Sequence, residues 1–245
     1  MIRRLLQRSE LGDLLVLASP ALFDVVSLPA VLRRGRDVMS ESRRSWKAER
    51  SRLARRVADL ALLETGAGAS LESLPAPART TVGERILTLY FRQLYSDAPT
   101  ALDLRASSWH VLDARLHWDP AAVTVRWDPT FIDAMRGVYR GFYEDDNDAF
   151  MGHLARLDLD GAADLFRAHI GSGDPSAHTF DRAAFVSSFG AIFEHCKEAG
   201  VRLHPDFVLL GAYLGGLYDS LADLGVPLDV ASAFHRGSSR SASAA

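Results

Sequence analysis

One cysteine, Cys196, among 245 residues excludes an internal disulfide framework and any zinc site built on several thiolates, and it points to a reducing compartment. Long hydrophobic runs are missing too. No stretch approaches the roughly 20 apolar residues that a membrane-spanning helix needs. At the amino terminus Arg3 and Arg4 precede an apolar stretch, but Glu10 and Asp13 interrupt it, which a secretory signal tolerates poorly. The expectation is a cytoplasmic chain, with peripheral membrane contact left open. Strand-type alternation is scarce. The sequence has no GxGxxG, Walker loop, GxSxG or HExxH, and no histidine pair sits four residues apart, so the standard nucleotide, hydrolase and zinc-helix signatures are excluded.

What is there is the composition of an ordinary globular protein: 48% hydrophobic and 24% charged residues, enough to bury a substantial core. The net charge is only −3, yet it is unevenly placed. Residues 33–56 hold ten basic and three acidic residues, so the rest of the chain carries a surplus of ten acids. A basic helix over 36–56, presenting Arg43, Arg44, Lys47, Arg55 and Arg56, would suit an acidic membrane surface or an acidic protein partner. Its plainer reading is a solvated face with pairs such as Glu49 and Arg52. Only Trp46 interleaves the basic residues, which disfavours single-strand nucleic acid.

Helical periodicity dominates the chain. Residues 3–34 read as short helices broken by Pro20 and Pro29, and 36–64 as the longest helical run. The Pro- and Gly-containing stretch 66–80 reads as a linker between an amino-terminal segment, 1–65, and a domain over 81–235. Ile86, Leu87, Tyr90, Phe91 and Leu94 mark an amphipathic helix from Val82 to Tyr95. The segments WHVL, RLHW and VTVRW between 109 and 127 form the one β region, turning at Asp113-Ala114 and Asp119-Pro120. Helices follow from Asp128-Pro129 to Tyr143, from an Asp145 or Asn147 cap to Leu157, and from Asp160 to Ile170. Two more cover Phe180–Ala199 and His204–Leu224, the last with Gly211, Gly215 and Gly216 placed for close contact. An apolar groove between those two helices would suit a lipid chain. Residues 236–245 read as a disordered tail.

The acidic run from Glu144 to Asp148 lacks the ligand spacing of a calcium loop and reads as a solvated helix start. Cys196 next to His195 is no nucleophile pair, because adjacent helix positions point about 100° apart. One constellation remains. Asp103 follows an amphipathic helix and opens the polar segment DLRASS; a short β pair comes next, then Asp119 in WDPA. Helix, aspartate, hairpin, second aspartate, helices is the order of a protein-kinase carboxyl lobe, where one aspartate orients the acceptor and the other holds magnesium. The plainer alternative is that Asp103 caps a turn and Asp119-Pro120 is only a β-turn.

The stretch from Gly83 to Phe234 resembles the carboxyl half of the AarF/UbiB-like atypical kinases. GERILTLYFRQLYSDAPTALDLRASSWHVL is similar to that family's helix and its HADPHPGN segment. FVSSFGAIFEHCKEAGVRLHPDFVLLGAYLGGLYDSLADLGVPLDV is similar to its closing helices. The resemblance puts Asp103 on the DPHPGN aspartate, Arg105 on its histidine, Ser107 on its glycine and Ser108 on its metal-binding asparagine. It puts Asp119 near the DFG aspartate, with Pro120 and Ala121 in place of Phe and Gly. By that correspondence Asp103 would be the catalytic residue, Ser108 and Asp119 would hold the nucleotide, and Asp119 the metal. The departures weigh against turnover: serine is a poorer magnesium ligand than asparagine, and residues 1–80 hold neither a KxGQ motif nor a glycine-rich loop followed by a strand lysine.

The expectation is therefore a mainly α fold with one small β-hairpin, like a kinase carboxyl lobe whose amino lobe is missing or remodelled. The implied function is a non-catalytic, pseudokinase-like scaffold or regulator tied to isoprenoid-quinone or lipid metabolism, with no cofactor. The alternatives are an atypical kinase or ATPase binding ATP and magnesium through Asp103 and Asp119, and a helical DNA-binding regulator using 36–56.

Overall fold

The computed structural model describes residues 20–63, 68–171 and 175–239. It is mainly helical, with two small two-stranded sheets. The elements in chain order are α1 (Pro20–Val25), α2 (Leu28–Val57), α3 (Ala76–Leu94), β1 (Thr100–Ala101), β2 (Trp109–Leu112), β3 (Arg115–Trp118), β4 (Thr124–Val125), α4 (Pro129–Tyr143), α5 (Asn147–Ala155), α6 (Ala163–Gly171), α7 (Arg182–Ala199), α8 (Pro205–Leu224) and α9 (Val230–Ser238). Single 3-10 turns cover Leu71–Ser73, Ala106–Ser108 and Asp160–Ala162. Residues 3–19, where the first short helices were expected, and 240–245 of the expected tail lie outside the described residues.

The chain divides into two compact units, with boundaries inside α2 after Arg36 and inside α8 after Gly215. The first unit combines residues up to 36 with 127–172 and 183–215. Its core is aromatic: Phe185, Phe189, Phe193 and Phe207 are all buried and meet ring to ring. Burial of several such rings, each hiding on the order of 150–250 Å², drives this packing. Asp128 caps α4 by accepting from the amides of Thr130 and Phe131. At α5 the cap is Asp146, bonded to the amide of Ala149, and neither Asp145 nor Asn147. Asp145 instead takes a positive φ of 56°, turning the chain between α4 and α5.

An apolar cavity between α4, α6, α7 and α8 is lined by Met135, Tyr139, Phe166, Phe189 and Phe207, among others. It measures ≈ 10 Å³. That is about the room of one water, too small for a lipid chain.

The second unit comprises 37–126, 173–182 and 216–245. Here α9 packs across α3, with Phe234 edge-on to Phe91 and Tyr95. The helix covers 236–238, residues that the sequence placed in the tail. The stretch 66–80, read as a linker, has its described part inside this unit, and α3 already begins at Ala76. Pro29 does not break α2 but sits in its first turn, where a missing amide costs nothing. The helix ends at Val57, after which Leu62 forms a parallel bridge with His117.

Candidate functional site

The site expected from sequence lies in the second unit. β1 pairs with β4 antiparallel, Thr100 opposite Val125 and Ala101 opposite Thr124. Strands of two residues have little ladder of their own, and helix side chains complete them. Buried Gln93 of α3 accepts from the amide of Ala101 at 2.9 Å and donates to its carbonyl at 3.4 Å. Ser42 of α2 accepts from the amide of Thr124 at 2.9 Å and donates to its carbonyl at 3.0 Å. Between β1 and β4 the chain makes the loop 102–108 and the β2–β3 hairpin, whose turn residues Asp113 and Ala114 both take positive φ, 50° and 59°. That left-handed pair is the geometry that matches the twist of a two-residue hairpin.

The loop is held by the hairpin and by α8. Trp118, fully buried on β3, donates its indole N–H to the carbonyl of Asp103 at 2.9 Å, and Trp109 stacks on it at 5.2 Å. Beneath, α8 presents three positions on one face. Gly216 lets the backbone of Leu104 and Arg105 approach so closely that an added Cβ would stand 3.3 Å from their nitrogens. Asp219 accepts from the amide of Ala106 at 2.9 Å, and the hydroxyl of buried Ser220 donates to the carbonyl of Leu104. Arg182 in turn holds Asp219 and Asp223, and those carboxylates raise its pKa further above the usual guanidinium value.

The two aspartates singled out from sequence come to the same end of the hairpin. Asp103 lies in the loop, and the amide of Asp119 closes on the carbonyl of Ser108 at 2.9 Å. Their chemistry is not that of open ligands. The Asp103 side chain is 6% exposed, and both its oxygens are engaged. Oδ1 accepts from Arg105 Nε at 2.8 Å and from the Arg105 amide at 3.3 Å; Oδ2 accepts from Arg105 Nη2 at 3.1 Å and from the Ala121 amide at 2.9 Å. Those four bonds fill the roughly four acceptor directions of a carboxylate. Ser108 spends its hydroxyl on the carbonyl of Arg105 at 2.7 Å. Asp119, 38% exposed, faces Arg50 Nη2 of α2 at 3.7 Å. Among the described residues no three metal-ligating side chains cluster. The bonds of Asp103 do not fit a magnesium–nucleotide complex, because both its oxygens already accept from the protein's own guanidinium and amides.

Beside Asp119, His110 and His117 stack across the hairpin with ring centroids 5.3 Å apart. Burial chiefly, then the neighbouring His117, push the pKa of His110 down, while Asp119 opposes the shift; its Nε2 is buried without a partner. On α2 the pair expected between Glu49 and Arg52 forms at 2.7 Å, with Arg126 reaching the same Glu49 oxygen at 3.5 Å. Glu49 Oε2 is buried without a partner. Of the expected contact residues, Arg43, Arg44, Lys47 and Arg55 are exposed. Arg56 turns inward, donating to Ser96 Oγ at 3.2 Å and to the carbonyl of Pro99 at 3.1 Å, so it is spent on the fold.

Gly216, Asp219 and Ser220 are the residues that sequence reasoning missed as part of this site. Their signal was present as small and polar positions on an otherwise apolar helix. No family model and no curated protein matches the chain.

Proposed function

We propose that this protein is a non-catalytic scaffold whose loop 102–108 and hairpin keep the layout of a phosphotransferase carboxyl lobe, as the AarF/UbiB-like resemblance implies, while its own Arg105 occupies Asp103, the carboxylate that would orient an acceptor. The reading is supported by the order of elements: β1, a loop carrying Asp103, the β2–β3 hairpin, Asp119 directly after β3, and β4 returning to pair with β1. One observation carries the non-catalytic part. The Arg105 guanidinium grips both oxygens of Asp103, so the carboxylate that would orient an acceptor has no free lone pair. Phosphoryl transfer depends on positioning and on charge neutralisation at the phosphates. A carboxylate neutralised within the protein contributes to neither.

The test is calorimetric titration of the purified chain with MgATP up to millimolar concentration. No binding heat is expected. Saturable binding that Asp119→Asn abolishes would overturn the reading and establish a nucleotide site.

A further inference from the structure

The outward face of α2 follows a different logic from its inward face. Other basic residues of α2 have partners: Arg50 faces Asp119, Arg56 donates to Ser96 and Pro99, and exposed Arg52 pairs with Glu49 of the same helix. Arg43, Arg44, Lys47 and Arg55 point to solvent, and among the described residues none has an acidic partner; Arg44 only donates to the carbonyl of Ser40 on its own helix. Twelve residues of helix place these four charges along roughly 18 Å. The fold gains nothing from bringing them together, since like charges on one helix repel. Trp46 is not on this face: at about 100° per residue it lies about 160° from Arg44 and about 180° from Arg55, on the side of buried Ser42 and Leu53, and it is half-buried.

We propose that this face of α2 is a docking strip for the headgroups of an anionic lipid bilayer. Two features select that occupant. The charges lie along one exposed side of a convex helix, which suits mobile headgroups that need no pocket. No aromatic side chain lies on that side, so it offers none of the stacking platforms that a nucleic-acid strand asks for. Attraction of this kind scales with the number of basic groups near the surface and fades within a Debye length. The inference is independent of the nucleotide reading, which concerns the loop 102–108.

The experiment is vesicle co-sedimentation of the full chain. The vesicles are pure phosphatidylcholine, or phosphatidylcholine with about 30 mol% phosphatidylserine to give an anionic surface. Binding is expected only to the phosphatidylserine vesicles, and it weakens as salt rises. Each charge removed costs about fivefold in affinity, so Arg43→Ala, Arg44→Ala, Lys47→Ala and Arg55→Ala together cost on the order of several hundredfold. Because all four side chains are exposed, the combined variant should keep the parent's melting temperature. Failure to bind phosphatidylserine at low salt overturns the proposal. So does binding that the fourfold variant retains, or tighter binding to duplex DNA than to vesicles at equal phosphate concentration.

Discussion

Asp103 and Asp206 are both buried carboxylates, each held by an arginine of its own unit. Asp206, fully buried at the start of α8, meets Arg34 at 2.5 and 3.1 Å and accepts from the amide of Asp128 at 2.7 Å. Removing the arginine leaves a charge in a medium that cannot solvate it. Arg34→Ala is expected to cost about 3–5 kcal/mol in urea denaturation. Arg105→Ala should cost less, about 1.5–3 kcal/mol, because two backbone amides still reach Asp103. A small or absent loss at Arg105 would show that the pair does not organise the loop. Cys196 behaves as a buried hydrophobe: burial pushes its thiol up to about 11. The native chain at pH 8 is therefore expected to resist thiol-specific labelling until denaturant is added; rapid labelling without denaturant would contradict this. Asp103 and Asp119 were legible because they flank a recognisable hairpin. Asp206 with Arg34 and Asp219 with Ala106 were not, since each joins positions more than a hundred residues apart.

Elements were legible where one face or one turn carried the signal. The stripe Ile86, Leu87, Tyr90, Phe91 and Leu94 is buried as the helical interval predicts, and WHVL and RLHW are the two strands of the hairpin. β1 escaped notice because two residues give no periodicity, and it depends on Gln93 and β4 for its bonds. α9 escaped because its small polar end resembles a tail, whereas its apolar face, Val230, Ala233 and Phe234, is what α3 buries. Gly237 marks that contact: a Cβ there would stand 2.5 Å from Phe91 Cβ and 2.9 Å from the Arg92 nitrogen. Gly237→Ala should destabilise by about 1–3 kcal/mol through overpacking. Gly152→Ala, in α5 with nothing within 4 Å of the added atom, should instead stabilise by about 0.5–1 kcal/mol. Thermal melts of the two variants separate a contact glycine from an idle one, and equal effects would refute the assigned packing.

Across the molecule, titration couples the fold to pH. Burial lowers the pKa of His178 and of His110, the latter also through His117, so both are neutral in the folded chain at pH values where the unfolded chain begins to protonate them. The unfolded state then binds more protons, and stability rises with pH through that window. Stability is expected to be complete above about pH 6.5, the ordinary histidine value, and to decline as pH falls below it. His178→Gln should flatten the slope; an unchanged slope would remove His178 as a contributor.

The charge map gives the molecule two characters, a basic strip on α2 and an acidic remainder. The loop 102–108 is tested most directly by the melting temperature of the parent and of Arg105→Ala, each with and without millimolar MgATP. A lower melting temperature is expected for the variant, with no shift on adding MgATP to either protein. A rise with MgATP in the parent, which ligand binding to the native state would produce, contradicts the non-catalytic reading.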